Sequence, residues 1–284
     1  MTVPRTPEDI ANIEDPAERA RAAGELLAEH QTAVTRLARI RRRAVAELRA
    51  AGLSYAEVGQ KLGLTRGRIA QLKSSTIEEE FFGGSPVTIA TPLRETTAGR
   101  PLVAQEDVEA AMVLTRFLDA ADVATSLQHV STAGELDLSP SALVAICGPK
   151  SSPVIQQLIA ADPAFEFSAD AEGRWRIIDR SSGQTYASPL DDSPEADRDV
   201  AYVARLPRPD SAASVLVVAG IHAVGSLGAV HYLTTMSSLR ELHRAVGSHP
   251  FSMVIESQFH RSPLTTFAAE AKTDPKVHAP EHDA

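Results

Sequence analysis

The first part of the chain repeats apolar residues with the period of an amphipathic helix. Asp15 and Pro16 have the features of an N-cap and a first helical residue, and Gly52 ends the pattern. The apolar positions are three, four or seven residues apart and form one seam: Leu26, Ala33, Leu37, Ile40, Ala44 and Leu48. The spacing predicts a long helix, and a break near residue 30 is an equally good alternative.

Two interpretations of that seam are open. In the first, it packs on the helices that follow it in the same chain. In the second, its first half pairs with a second subunit. Regulators that bind paired half-sites on DNA are commonly dimers, so we expect a homodimer.

Two shorter helical patterns and a turn follow, over Leu53–Lys73. Ser54, with Glu57 three residues later, has the spacing of a capping box. Gly63 ends the first pattern, since glycine adopts the left-handed conformation without strain, and Thr65 opens the second. Two helices joined in this way predict a helix-turn-helix, whose second helix enters the major groove of DNA.

From about Ala44 to Lys73 the chain resembles the helix-turn-helix of region 4 of bacterial sigma factors and of regulators that share it. The resemblance rests on matching intervals between Ser54, Glu57, Gly63, Thr65, Arg66, Arg68, Ile69, Gln71 and Leu72. It implies contacts with double-stranded DNA from Thr65, Arg66, Arg68, Gln71 and Lys73. Gly67 and Ala70 stand where sigma factors often carry longer polar side chains, so sigma-type promoter recognition is not expected.

The charge distribution supports a local DNA site. The net charge is −9 overall, but it is −4 over residues 1–30, +8 over 31–73 and −13 over 74–284. A basic segment between acidic ones is typical of a nucleic-acid site. The arginine run before the motif would contact phosphates without reading sequence: Arg41, Arg42 and Arg43.

Beyond residue 85 the pattern changes to short apolar runs that alternate with helices. Strands are predicted at 86–92, 143–147, 200–206, 215–219 and 252–256, and helices at 105–121, 152–161 and 225–233. In the helix at 105–121, Val108, Met112 and Leu118 are expected to be buried. Residues 165–186 predict two or three antiparallel strands. The pattern indicates a Rossmann-like three-layer α/β domain with a mostly parallel sheet and a hairpin insertion.

The expected organisation is therefore α followed by α/β. It comprises a flexible N-terminus (1–15), a helical DNA-binding domain (16–75), a linker (76–85), an α/β domain for sensing or oligomerisation (86–261) and a flexible tail (262–284). The single cysteine, Cys147, fits a reducing cytoplasm, and no apolar run is long enough to span a membrane. No Cys/His spacing predicts a metal site.

Three loops at predicted strand ends are candidates for binding a ligand, because open α/β sheets bind at the carboxyl ends of their strands. The first loop supplies Arg94. The second supplies Gly148, Lys150, Ser151 and Ser152. The third lies between a buried strand and a helix start and supplies Gly220, His222, Gly225 and Ser226.

These loops are loosely similar to those of Rossmann-like nucleotide-sensing domains. Their glycine spacing matches neither the dinucleotide fingerprint nor a P-loop, so tight turns are the plainer interpretation. Taken together, the loops predict a nucleotide or another phosphorylated or anionic small molecule as ligand. His222 is either a general base or, more simply, a residue that binds or structures the loop.

The function predicted from these features is a bacterial transcriptional regulator with a small-molecule effector and no membrane partner. The alternative is a nucleotide-processing enzyme, of hydrolase or glycosyl-transfer type, with an appended helix-turn-helix. Against an enzyme, no nucleophile and acid–base pair can be assembled from the spacing. A pure protein-interaction domain is a third interpretation.

Overall fold

A computed structural model describes residues 6–65, 69, 76–209 and 211–278 of the chain, without the side chains at 28–29, 31–36, 38–39, 42–43 and 211–212. The chain divides into two compact units, the first comprising residues 1–75 and 120–122 and the second residues 76–119 and 123–284. The first unit contains helices α1 (Pro7–Ala11), α2 (Pro16–Ala50) and α3 (Tyr55–Leu62).

Helix α2 begins where the sequence predicts. The Asp15 side chain accepts a hydrogen bond from the Ala17 N–H at 3.0 Å. The helix continues through residue 30, so the alternative of a break there is wrong. The N-terminus was expected to be flexible up to residue 15, but it contains α1, whose first turn is closed by a capping box between Thr6 and Asp9. The two hydrogen bonds of this box offset part of the conformational entropy that a short segment loses when it becomes helical.

Helix α3 also has the predicted ends. The Ser54 N–H donates to Glu57 Oε2 at 2.6 Å, and the Glu57 N–H donates to Ser54 Oγ at 3.3 Å. Gly63 terminates the helix with φ of 65°, a conformation that favours glycine.

A small core joins these helices. It contains Val45 of α2, Val58 of α3 and Ile69, all buried, with Leu48 and Leu64 packed around them. Most of the second predicted helix lies outside the described residues, including Arg66, Arg68, Gln71 and Lys73. Ile69, one of the residues on which the resemblance rests, is therefore buried against α2 and α3.

The second unit is a mixed α/β structure. Its helices are α4 (Ile77–Phe82), α5 (Gln105–Ala120), α6 (Pro153–Ala160), α7 (Ala223–Thr234) and α8 (Met236–Val246). The strands of its main sheet are β1 (Val87–Pro92), β4 (Thr125–Val130), β5 (Ala142–Ile146), β9 (Arg198–Arg208), β10 (Ser211–Gly220), β11 (Phe251–Arg261), β12 (Leu264–Ala271) and β13 (Lys276–Val277). Two smaller sheets contain β2 (Arg94–Glu95) with β3 (Pro101–Leu102), and β6 (Phe165–Ala169), β7 (Trp175–Asp179) and β8 (Thr185–Ala187).

The main sheet is parallel in one half and antiparallel in the other. Its order is β12-β11-β9-β10-β5-β1-β4, with β13 also beside β11. The strands β10, β5, β1 and β4 run parallel, whereas β9 pairs antiparallel with both β10 and β11. The link from β9 to β10 is too short for the crossover that parallel neighbours require, so these two strands must form a hairpin.

Both faces of the sheet are covered. On one face, Ile155 of α6 and Phe165 of the three-stranded sheet pack with Ala145 and Tyr202. Helix α7 packs against β9, β10 and β11 from the other face, where Gly228 meets Ser257. The predicted hairpin insertion is thus a separate sheet that covers the core.

Two predicted irregular segments are ordered elements. The linker at 76–85 contains α4, which buries Phe81 and Phe82. The tail predicted from residue 262 instead forms β12 and β13. Its polar composition suits an edge strand with a solvent-exposed face, and Lys276 fixes the end of the described chain by an ion pair with Asp179 at 2.6 Å.

Candidate ligand-binding cleft

The carboxyl ends of the neighbouring parallel strands β1, β5 and β10 lie at one edge of the main sheet. The connections that follow them surround a cleft of about 260 Å³. Seven of the nine residues predicted to bind a ligand line it: Arg94, Gly148, Lys150, Ser151, Gly220, His222 and Ser226. Three loops that are far apart in sequence therefore form one concave site.

The other two predicted residues do not line the cleft. Ser152 is buried, where its hydroxyl donates to the Gly134 carbonyl at 2.7 Å and caps α6. Gly225 packs on Asp199, and a Cβ at Gly225 would lie 2.5 Å from Asp199 Oδ2. Both residues thus contribute to the packing of the loops and not to the lining of the cleft.

Two cationic side chains approach the cleft. Arg94 follows β1 and is about half exposed, with its Nη2 atom 3.4 Å from Asp107 Oδ2. Lys150 is exposed in the turn after β5. Arg94 makes this one ion pair and Lys150 faces solvent, so both side chains have N–H donors available to bind an anion.

Asp107 contributes a buried carboxyl to the same cleft. It lies in the first turn of α5 and is 2% exposed. Burial raises the pKa of Asp107 to about 6, and the charge of Arg94 offsets only part of that effect. Asp107 can therefore accept a hydrogen bond when ionised and donate one when protonated.

His222 is held at the N-terminus of α7 by two carboxylates. Its backbone N–H donates to Asp199 Oδ2 at 3.1 Å, and the Nε2 atom of its ring lies 2.9 Å from Asp191 Oδ1. Asp191 in turn accepts a hydrogen bond from Arg176 Nη1 at 2.8 Å. These contacts fix the imidazole ring at the edge of the cleft through Nε2.

Asp199 supports this loop from within the protein. It is fully buried, and burial raises the pKa of its carboxyl to about 6. The N-terminus of α7 also carries Ala223 at the cleft, and the His222 side chain makes no capping bond to it. The first turn of α7, in which the Gly225 N–H donates to the His222 carbonyl at 3.1 Å, thus begins beside the cleft with the positive end of the helix dipole.

Cys147 lines the cleft but is not an activated nucleophile. Its thiol is buried and donates to the Gly148 carbonyl at 3.5 Å. Burial, with a contribution from the charge of Asp107, raises the pKa of Cys147 to about 12. A thiol that stays protonated near neutral pH is a poor nucleophile.

Sequence reasoning missed the carboxylates of this region. Asp107 had a usable signal, because the first turn of a helix that follows β1 and its β2–β3 ribbon lies at the ligand-binding edge. The sequence held no comparable signal for Asp191 and Arg176. They belong to the segment around the three-stranded sheet, and only tertiary packing brings that segment to the cleft. Trp175 packs against the core and contacts Phe167 edge to face, with ring centroids 5.6 Å apart.

Of the predicted DNA contacts, Thr65 and Arg41 are exposed. The side chains of Arg42 and Arg43 lie outside the description, as do the residues named above in the second helix. The first predicted helix and its turn thus have the expected local geometry, while the reading surface stays a prediction.

A wider concavity of about 770 Å³ runs along the edge strand β4, but no Lys or Arg lines it. Within the described residues, no helix combines the length and apolar character needed to cross a bilayer. The described part of the chain also contains no group of three His, Cys, Asp or Glu side chains suited to a metal ion.

Comparison of the chain with protein-family models, with curated proteins and with solved structures finds no match.

Proposed function

We propose that this chain is a cytoplasmic DNA-binding transcriptional regulator whose α/β unit binds a small nucleotide-like or otherwise anionic ligand. The observation that carries the ligand half of the proposal is the approach of Arg94 and Lys150 to one cleft where α7 begins. Two cations and a helix N-terminus together favour phosphate or carboxylate.

The remaining lining narrows the ligand class. Asp107 supplies a hydrogen-bonding group suited to a sugar hydroxyl or a base N–H. The volume of about 260 Å³ lies just below the usual range for small-molecule pockets. A mononucleotide or a smaller phosphorylated molecule fits this description better than a dinucleotide does.

The DNA half of the proposal is supported by the capped α3, the left-handed Gly63 and the buried Ile69. The basic segment that contains these residues adds the charge needed for phosphate contacts.

The DNA half is tested by gel shift on the sequence upstream of the protein's own coding region. We expect Arg66→Ala and Gln71→Ala each to abolish specific binding, because base contacts carry specificity. Arg116→Ala, an exposed arginine of α5, is the matched control and should bind as the wild type does. Unchanged binding by the first two variants would refute the assigned role.

The ligand half is tested by isothermal titration with a panel of nucleoside mono- and diphosphates. Arg94→Ala and Lys150→Ala should each weaken binding by about tenfold or more, since a charge-assisted hydrogen bond contributes about 1.5–3 kcal/mol. Arg116→Ala again serves as control. Equal affinities in all four proteins would place the ligand elsewhere.

Ligand binding regulates DNA binding only if the ligand has different affinities for two states of the chain. A gel shift titrated with the ligand measures that coupling, which by linkage must be equal in both directions.

An enzymatic function is the second candidate, and one arrangement favours it. His222, whose Nε2 lies 2.9 Å from Asp191 Oδ1, and the buried Asp107 place an imidazole and a carboxyl in one cleft. If the chain processes nucleotides, turnover of the same panel should disappear in both His222→Ala and Asp107→Asn. Ligand binding without any turnover would exclude the enzymatic function and favour a sensor.

A further inference from the structure

Helix α2 exposes large aliphatic side chains among its described residues. Leu37 and Ile40 are 65% and 57% exposed, and Leu27, nearer the start of the helix, is 70% exposed. Of the predicted seam, Leu48 packs against the core with α3, next to the buried Val45, whereas Ala44 is exposed. The first interpretation of the seam therefore accounts for its end but not for its middle.

An apolar groove lies on the same helix, seven or more residues before Leu37. It has a volume of about 310 Å³ and is formed by α1 and the first half of α2. Its apolar walls include Ile10, Ala23, Leu26 and Leu27. One molecule therefore carries both an apolar groove and an exposed aliphatic pair, Leu37 and Ile40. Two copies could pack together with the pair of each in the groove of the other.

The spacing gives this interface a register. Ala23, Leu26, His30, Ala33, Leu37, Ile40 and Ala44 follow one another at alternating intervals of three and four residues. That is the repeat of a coiled-coil seam. In an antiparallel pair, Leu26 then lies opposite Leu37 of the second copy, and Ala23 lies opposite its Ile40.

Charge decides between the parallel and the antiparallel arrangement. Residues 6–30 contain seven Asp/Glu and two Lys/Arg, whereas residues 31–50 contain one Asp/Glu and six Lys/Arg. A parallel pair would place like-charged halves side by side. An antiparallel pair places each acidic half beside the basic half of the other copy, which complements both.

We propose that the chain forms an antiparallel homodimer through α2, in which Leu37 and Ile40 of each copy enter the α1–α2 groove of the other. The contact is two-fold symmetric, so each residue pair occurs twice. Dimer formation through this surface requires neither DNA nor the cleft, and it can be tested independently of both.

The first test measures mass by sedimentation of the full chain at micromolar concentrations. The wild type should be a dimer, and Ile40→Glu and Leu37→Glu should each weaken it at least tenfold by placing a carboxylate in an apolar contact. Met112→Glu, at a 47% exposed site on α5, is the matched control and should remain dimeric. Circular dichroism should stay unchanged, because the replaced side chains are exposed.

Disulfide trapping tests the orientation. A mixture of Leu26→Cys and Leu37→Cys chains should form a mixed cross-link at least tenfold more than either variant does alone. Wild type should form none, since Cys147 is buried. A monomeric wild type, a dimer that both glutamate variants leave intact, or efficient linkage of Leu26→Cys with itself would each overturn the proposal.

Discussion

Asp107 couples the electrostatics of the cleft to the stability of the fold. Its pKa of about 6 in the folded chain exceeds the value of about 4 expected in the unfolded chain. Between these pH values the folded chain retains a proton that the unfolded chain has released. The free energy of unfolding therefore falls as pH rises from about 4 to about 6, and the full cost persists above that range.

Replacing this carboxyl should remove the cost. We expect Asp107→Asn to be more stable than wild type at pH 7 by up to about 2–3 kcal/mol, with the gain disappearing near pH 4. Denaturant unfolding at the two pH values measures it. Asp199, which has a similarly raised pKa, is present in both proteins and cancels in the comparison. A difference in stability that did not vary with pH would contradict this account.

Individual ligand-site residues could be anticipated because the rule that placed them is geometric. Arg94, Lys150 and His222 each follow a run that had to be a buried strand, and parallel strands end at the same edge of a sheet. The rule predicts which loops lie near the ligand, but it does not predict which way each side chain in a loop points. It therefore also selected Ser152, which points away from the cleft and caps α6.

At the scale of elements, the α3 turn contains a testable close contact. A Cβ at Gly59 would lie 2.7 Å from the Leu64 carbonyl oxygen, whereas one at Gly24 in α2 would meet nothing within 4 Å. Gly59→Ala should destabilise the first unit by about 1–3 kcal/mol, since backbone must move to admit the methyl group.

Gly24→Ala is the matched control for that change. It should stabilise the same unit by up to about 1 kcal/mol, because alanine favours the helix and the site is open. Thermal unfolding followed by far-UV circular dichroism compares the two variants. A destabilisation shared by both would show that the contact with Leu64 is not the cause.

The elements themselves were largely predictable, but the direction of a helix face was not. The helix at 105–121 occurs as α5, yet Val108 and Met112 are 42% and 47% exposed and only Leu118 of the three is buried. The buried face instead contains Ala110, Ala111 and Leu114. Two of these three residues are alanines, and hydropathy alone does not reveal that such small residues are buried in place of larger ones.

At the scale of the whole molecule, α4 determines where the second unit begins. Arg205 Nη2 donates to the Phe81 carbonyl at 2.8 Å, and the guanidinium lies over the Phe81 ring at 4.8 Å. The segment that composition assigned to a linker thus completes the core around β9.

Two fragments test this boundary. A fragment that begins at residue 76 should fold and unfold cooperatively by itself, because the main sheet and its covering helices lie within it. A fragment that begins at residue 86 loses α4 and should melt several degrees lower or fail to fold, since it removes two buried phenylalanines. Identical melting of the two fragments would contradict a structural role for α4.

The sequence alone determined the local features of this protein: the capped α2 and α3, the turn at Gly63, the buried strands and the basic segment. Each depends on the chemistry of residues that are neighbours in the chain. Only the tertiary structure decided how β12 pairs, that half of the sheet is antiparallel, and that Asp107, Asp191 and Arg176 join the loops of the cleft. Those outcomes depend on contacts between distant segments, whose energies come from burial and complementary charge that no short stretch of sequence contains.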